Sequence, residues 1–190
     1  MSVVFIDAVG STAQASRSSP EEFADALDEL FRRFDRIADR RGLEKIKTIG
    51  DAYMAVAGAP VPMAAHAEAA VAMALDVLAE ANEVRWPSGD PIAVHGGVAS
   101  GPAVAGVIGD RKFAYDLWGD TVNLAKRLQE VAEPGQVLVS EATAEPLAGR
   151  HEFGPAQMVQ VKGRGPARVR ALLRRRSDVP VEVPSEVPSP

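Results

Sequence analysis

The sequence predicts an α+β protein with a ferredoxin-like βαββαβ core, followed by additional C-terminal β and α elements. Short apolar runs alternate with two long helical patterns in the order β-α-β-β-α-β over the first half of the chain. This order matches the split βαβ unit of ferredoxin-like proteins. A second series, β-α-β-α-β-β, follows it. We expect an antiparallel sheet with helices packed on one face, because that arrangement buries the apolar faces of both.

The first elements have clear boundaries in the sequence. The run "VVFIDAV" is apolar and β-branched, which is typical of a buried strand. The stretch "SSPEEFADALDELFRRFDRIADRRG" predicts a helix that Ser19 caps, Pro20 starts and Gly42 ends. The segment "EKIKTIGDAYMAVAG" predicts a hairpin around a tight Gly-Asp turn.

The later elements follow by the same reasoning. The Ala-rich stretch "MAAHAEAAVAMALDVLAEAN" predicts a second helix. The Val- and Gly-rich stretch "IAVHGGVASGPAVAGVIG" predicts a strand and a turn, then a strand or short helix. "FAYDLWGDTVNLAKRLQEVA" predicts a strand, a turn and a helix starting near Thr121. The final stretches "GQVLVS", "EATAEPLAG" and "MVQVKGRGPARVRALLRR" predict a strand, a short helix and a hairpin.

The length of 190 residues fits one domain, which we place at residues 1–176. Residues 177–190 are rich in Pro, Ser and acids, and this composition predicts an extended or disordered tail. The first predicted strand begins at the second residue, whereas domains usually begin with a few loose residues. We therefore expect the chain to be cut from a longer protein that continues upstream.

Composition excludes several classes of function. The net charge of −5 disfavours a nucleic-acid partner, since such domains are usually basic. The absence of cysteine excludes disulfides and thiolate chemistry. No apolar run approaches the roughly 20 residues that span a bilayer, and no signal peptide is visible. We expect no membrane segment in this chain and a cytoplasmic location.

Two carboxylates are candidates for cation binding. Asp7 lies within an apolar strand, where an isolated charge is costly to bury. Asp7 either accepts hydrogen bonds from the following turn or binds a cation, with the backbone of residues 10–12 holding phosphate oxygens. Asp51 is either a residue that favours the tight turn of the hairpin or a second candidate cation ligand. In the second case it approaches Asp7, provided that the hairpin lies beside the first strand. Two carboxylates with an exposed carbonyl suit a pair of divalent ions.

Other polar residues have two interpretations each. Asn123 and Arg127 share one helix face, which either faces water or binds phosphate. Asp116, in a strand between large residues, either faces water or accepts a hydrogen bond from a ligand amine. Lys162, in a Gly-rich basic turn, is either surface charge or a phosphate contact. His95 is interpreted as strand packing, and no P-loop or nucleophile elbow is present.

Five stretches occur together in one order: "FIDAVGST", "EKIKTIGDAYM", "GVASGPAVAGVIG", "YDLWGDTVNLAKRL" and "VKGRG". In this order and at these spacings they closely resemble the catalytic domains of class III nucleotide cyclases. The resemblance runs from the first predicted strand to the last hairpin. It departs from the family at Ser11, where many relatives have an aromatic residue, and at Arg164, which replaces a frequent second Lys.

The resemblance implies a class III cyclase catalytic fold and a complete set of site residues. Two divalent ions, Mg²⁺ or Mn²⁺, would be held by Asp7, Asp51 and the carbonyl of Ala8. The resemblance implies that the turn residues Val9, Gly10, Ser11 and Thr12 contact phosphates, and that Lys47 and Asp116 recognise adenine. It implies that Asn123 and Arg127 support the transition state. It also implies that Lys162 binds the terminal phosphates.

The resemblance also implies an activity and a partner. We expect an adenylyl cyclase that converts ATP to 3′,5′-cyclic AMP and pyrophosphate at two composite sites of a head-to-tail homodimer. Guanylyl cyclases carry Glu and a small residue, commonly Cys, at the places of Lys47 and Asp116. A guanylyl or promiscuous cyclase, and a non-catalytic nucleotide-binding or dimerisation module, are the alternatives.

Overall fold

The computed structural model of the protein describes residues 1–109, 113–161 and 163–176. The predicted tail, 177–190, and Lys162 lie outside these residues. The strands are β1 Ser2–Ala8, β2 Glu44–Ile49, β3 Ala52–Ala57, β4 Val94–Ser100, β5 Val104–Ile108, β6 Ala114–Trp118, β7 Val137–Ser140, β8 His151–Phe153, β9 Gln157–Val161 and β10 Gly165–Arg175. The helices are α1 Ser11–Ala15, α2 Pro20–Arg41, α3 His66–Ala81, α4 Asp120–Val131 and α5 Glu141–Ala144, which a 3₁₀ turn, Glu145–Leu147, extends.

The ferredoxin-like core is confirmed. The first four strands lie in the order β2-β3-β1-β4, and each pairs antiparallel with its neighbour. The additional strands continue the same sheet, because β7 pairs parallel with β4 and is followed by β10 and β8. β9 pairs with β10, while β5 and β6 form a separate two-stranded ribbon.

The predicted start and end of α2 are also confirmed. The Ser19 hydroxyl accepts a hydrogen bond from the Glu22 backbone N–H at 3.2 Å, and the Glu22 carboxylate accepts one from the Ser19 N–H at 3.0 Å. This reciprocal pair is a capping box, which satisfies two otherwise unpaired donors. Gly42 ends the helix in the left-handed conformation, with φ of 70°. Local sequence therefore determines both ends of this helix.

Two elements were not predicted. α1 occupies a stretch interpreted as a turn, and β8 has only three residues. Neither is long enough to show a helical or strand periodicity in the sequence. Both follow from their surroundings, since β8 forms by pairing with the end of β10.

Helices cover both faces of the sheet, so the expectation of helices on one face is wrong. α2 and α3 pack on the face that contains Val4 and Ile6, whereas α4 packs on the face that contains Val3 and Phe5. β1 is consequently buried on both sides, which explains its continuous apolar run. In the described parts of the chain, no helix is long and apolar enough to cross a membrane.

α4 lies unusually close to β4 at Gly97. A Cβ atom on Gly97 would stand 2.1 Å from the Ala125 carbonyl oxygen and 2.4 Å from the Gln129 backbone nitrogen. Both neighbours are backbone atoms, which cannot rotate away. Gly97 therefore sets the distance between α4 and the sheet.

Replacing Gly97 by Ala is expected to destabilise the fold by about 1–3 kcal/mol, because α4 must move outward to accept the methyl group. Urea unfolding followed by circular dichroism measures the change. Gly149→Ala is the matched control, since a Cβ there meets nothing within 4 Å. An unfolding free energy for Gly97→Ala as close to wild type as that of the control would contradict the packing argument.

Candidate active site

The two carboxylates predicted to approach each other do so. Asp7 pairs in register with Ala52, the residue that follows Asp51 in the hairpin turn. The Ala8 backbone N–H donates to the Asp51 carbonyl oxygen at 3.3 Å, which ties the end of β1 to this turn. The antiparallel pairing of β1 and β3 thus places Asp7 and Asp51 together at one end of the sheet.

Asp7 lies where a negative charge is unfavourable. Its side chain is 25% exposed, and burial raises the pKa of its carboxyl. The negative charge of Asp51 raises this pKa further, while His95 opposes the shift. The Asp7 Oδ1 atom is buried and has no hydrogen-bond partner within the described ranges.

These features fit a divalent cation. A cation would satisfy the unpartnered Oδ1 of Asp7 and offset the repulsion between Asp7 and Asp51. No cluster of three or more His, Asp or Glu side chains suited to a metal occurs in the part of the chain that the structure describes. A bound cation would therefore depend on these two carboxylates together with backbone and ligand oxygens.

The turn after β1 supports Asp51. Gly10 adopts the left-handed conformation, with φ of 77°, and begins the short helix α1. The Ser11 hydroxyl donates a hydrogen bond to the Asp51 carboxylate. Val9 donates its backbone N–H to the Ala93 carbonyl at 2.9 Å, whereas Thr12 is exposed. Ser11, the residue that departs from the family pattern, thus contacts a candidate cation ligand through its side chain.

Gln129 is a contact that sequence reasoning missed. Its Nε2 donates to Asp7 Oδ2 at 3.1 Å and lies 3.0 Å from His95 Nε2. His95 Nδ1 in turn lies 2.8 Å from the Ala132 carbonyl oxygen. The available signal was a Gln on the apolar face of α4, four residues after the buried Ala125. His95, interpreted as strand packing, is the second member of this polar group.

Lys47 and Asp116 form an ion pair across β2 and β6. Their side chains are 40% and 21% exposed, and the second Asp116 oxygen accepts the Leu117 backbone N–H at 2.9 Å. These residues are far apart in sequence, and only the packing of the β5–β6 ribbon beside β2 brings them together. The pair presents a donor and an acceptor side by side at the surface.

Asn123 and Arg127 border a small cavity of about 240 Å³ beside α4, here called the α4 cavity. Val161, Gly163 and Arg164 line its other side, whereas Lys162 lies outside the described residues. Arg127 Nη1 contacts Glu130 Oε2 at 2.5 Å, with both side chains about one third exposed. The polar side chains of this cavity are thus one amide, two guanidinium groups and the carboxylate of Asp120.

The candidate residues form three separate groups. Asp7, Asp51 and the turn after β1 make the first group, the Lys47–Asp116 pair makes the second, and Asn123 and Arg127 at the α4 cavity make the third. No hydrogen bond or ion pair among the described side chains joins the first group to Lys47, Asp116, Asn123 or Arg127.

Comparisons with known proteins identify related domains. The family model described as "Adenylate and Guanylate cyclase catalytic domain" matches residues 1–173. An adenylate cyclase of Mycobacterium tuberculosis is 41% identical over 175 residues, which are 92% of this chain and 40% of that relative. The chain thus spans less than half the length of this relative.

Two solved structures are similar along most of their length. The guanylate cyclase domain of RhGC from Catenaria anguillulae, in complex with GTP, is 35% identical with a TM-score of 0.89, covering 92% of this chain and 96% of that one. The adenylyl cyclase CyaB from P. aeruginosa is 26% identical with a TM-score of 0.86, covering 94% and 95%.

The raised pKa of Asp7 predicts a pH-dependent stability. The folded state holds the Asp7 proton more tightly than the unfolded chain, whose carboxyl has the ordinary pKa of 3.8. Stability therefore falls as pH rises from 3.8 through the raised value. Asp7→Asn removes the charge, so the metal-free variant should melt at a higher temperature than wild type at pH 7. This difference should shrink as pH falls from the raised pKa of Asp7 to 3.8.

Thermal melting between pH 3 and pH 8 tests this expectation. Asp25→Asn is the matched control, because Asp25 is exposed on α2 and its removal should leave the pH profile unchanged. A melting temperature for Asp7→Asn at or below that of wild type at pH 7 would contradict the account of Asp7.

Proposed function

The chain belongs to the adenylate and guanylate cyclase catalytic domain family, and from this premise we propose that it converts ATP to 3′,5′-cyclic AMP and pyrophosphate. The catalytic fold expected from the sequence motifs is that of this family. The observation that carries the choice of ATP is the pairing of Lys47 with Asp116.

The chemistry of the two bases favours adenine. Adenine offers an acceptor at N1 and a donor at its 6-amino group, which match the Lys47 ammonium and the Asp116 carboxylate. Guanine presents a donor at N1 and an acceptor at O6, so both contacts would be mismatched. A site that hydrogen-bonds one base disfavours an analogue that leaves the polar groups of the site unpaired. The partly exposed Lys47–Asp116 pair costs little to open for the base.

Asp7, Asp51 and the Ala8 carbonyl are the proposed ligands of two divalent ions, Mg²⁺ or Mn²⁺. The unpartnered Asp7 Oδ1 and the neighbouring Asp51 carboxylate support this role. When bound, such ions would lower the pKa of the ribose 3′ hydroxyl and offset phosphate charge. Gln129 holds the other Asp7 oxygen, so the free oxygen keeps its orientation.

The residues around the small α4 cavity are the proposed phosphate contacts. In the reaction, the ribose 3′ oxygen forms a bond to the α-phosphorus, and the bond to pyrophosphate breaks. Arg127 offsets the charge that grows on the transferring group, and Asn123 positions it. Exchanging Glu130 for phosphate costs Arg127 little, since their ion pair is partly exposed. Lys162 and the turn Val9–Thr12 complete the proposed contacts with the phosphates.

We further propose a head-to-tail homodimer in which each site combines the first group of one chain with the second and third groups of its partner. The absence of any hydrogen bond or ion pair, among the described residues, that joins Asp7 or Asp51 to Lys47, Asp116, Asn123 or Arg127 supports this arrangement. Apolar side chains exposed on and beside the β5–β6 ribbon offer an interface, because exposed apolar clusters mark association surfaces. They are Ile49, Val104, Val107, Ile108, Phe113 and Trp118.

A cyclase assay with ATP and GTP across a protein dilution series tests the function. We expect cyclic AMP formation with Mg²⁺ or Mn²⁺, a rate with GTP lower by at least about tenfold, and activity per chain that falls on dilution. Asp51→Ala should abolish turnover. If neither metal gives product from ATP, or Asp51→Ala behaves as wild type, the proposal fails. A faster rate with GTP would instead assign guanylyl cyclase activity.

Mixing two inactive variants tests the composite site. Lys47→Ala removes a proposed adenine contact and Asp51→Ala removes a proposed metal ligand, so each variant should be nearly inactive alone. In an equal mixture about half of the dimers are heterodimers, and each of these contains one intact site of two. The mixture should regain about one quarter of the wild-type rate. A mixture no more active than its components, although both variants fold and dimerise, would contradict the head-to-tail arrangement.

A further inference from the structure

A cavity of about 810 Å³ lies at the end of the molecule where α2 ends, α3 begins and β10 ends. It shares no lining residue with the small α4 cavity or with the two carboxylates. The chain carries a net charge of −5, yet one surface of this cavity is strongly basic. Five guanidinium groups line it, those of Arg40, Arg41, Arg150, Arg175 and Arg176.

Carboxylates neutralise only two of these groups. Arg41 pairs with Asp76 at 2.7 Å, and Arg150 pairs with Glu68 at 3.3 Å. Arg176 donates to the Ala148 carbonyl oxygen at 3.0 Å, which leaves its charge uncompensated. Arg40 and Arg175 have no side-chain hydrogen bond or ion pair within the described ranges. Three positive charges thus face this cavity without a carboxylate partner.

Arg175 gives the clearest sign of a missing partner. Its Nη2 atom is buried and has no hydrogen-bond partner in the residues that the structure describes. A buried, unsatisfied donor on a charged group carries a large desolvation penalty. Oxygen atoms of a bound anion would remove that penalty.

Helix stability explains only part of this cluster. Arg40 and Arg41 lie in the last turn of α2, where positive side chains complement the helix dipole. Arg150 precedes β8, and Arg175 and Arg176 end β10 and follow it. Arg176 serves another helix end, because it donates to the carbonyl of Ala148, the C-cap of the 3₁₀ turn that extends α5. Arg175 complements no helix terminus, and it reaches the cavity from a distant part of the chain. Its place in one cavity with Arg40 requires another explanation.

The α3 side of the cavity is mostly apolar. Met63, Ala65, Ala69 and Ala72 line it, together with Glu68, whose carboxylate pairs with Arg150. The volume lies within the range of small-molecule sites, roughly 300–1,000 Å³. Guanidinium forks match the oxygens of phosphate in bidentate geometry, and several such forks suit a dianion better than a single carboxylate charge.

We propose that this cavity binds a small organic phosphate. The phosphate group contacts Arg175 and Arg40, and the apolar body of the ligand lies against α3. The site is separate from the proposed catalytic residues, so its existence does not depend on the proposed function.

Titration calorimetry of the full chain in metal-free buffer tests this site, with inorganic phosphate and phenyl phosphate as probes. We expect saturable binding of both at one site per chain, with phenyl phosphate the tighter because its ring covers the apolar wall. Arg175→Gln and Arg40→Gln should each weaken binding by at least about tenfold, since each removes a charge-assisted contact.

Two controls separate this cavity from other sites. Arg32→Gln removes an exposed arginine of α2 that pairs with Asp28, and it should bind both probes as wild type does. Arg127→Gln tests the α4 cavity, and it should also leave binding unchanged. Arg40 is exposed on the helix surface, so its variant is expected to fold even if Arg175→Gln does not. Wild-type affinity in Arg40→Gln, loss of binding in Arg127→Gln, or no saturable binding at all would overturn the proposal.

Discussion

The close contact between α4 and β4 is the constraint on which the arrangement of the candidate site depends. Gly97 allows backbone atoms of α4 to lie where a side chain would otherwise stand. This contact directs Gln129 inward to Asp7, while Asn123 and Arg127, on another side of the helix, remain available to a ligand. One helix therefore positions the Asp7 carboxylate and also supplies Asn123 and Arg127.

The two neighbouring carboxylates of the candidate site lower the stability of the folded protein. Asp7 and Asp51 repel each other, and burial adds to the cost of the Asp7 charge. Gln129 and Ser11 each donate one hydrogen bond, which holds the carboxylates in place without neutralising them. Charged groups in such unfavourable surroundings are typical of functional sites, where perturbed pKa values concentrate. It also distinguishes this end of the sheet from the basic cavity, where positive charges are the groups in excess.

Much of the fold could be predicted because its elements carry local signals. The capping box at Ser19, the left-handed Gly42 and the tight turn before Asp51 act within a few residues of themselves. The motifs also indicated the family, since several short stretches occurred in a fixed order. α1 and β8 were not predicted because they are too short to show a periodic pattern of apolar residues. The side of the sheet on which α4 packs was not predicted either, because an apolar helix face does not specify which face of a sheet it covers.

The sequence alone was enough to predict the order of the longer elements, the family and most residues of the candidate site. Those properties depend on local patterns along the chain. Only the tertiary structure decided that Gln129 and His95 lie beside Asp7, that Lys47 contacts Asp116, and that arginines from α2 and β10 share one cavity. These contacts join residues distant in sequence, and they arise from strand pairing and helix packing, which no local pattern encodes.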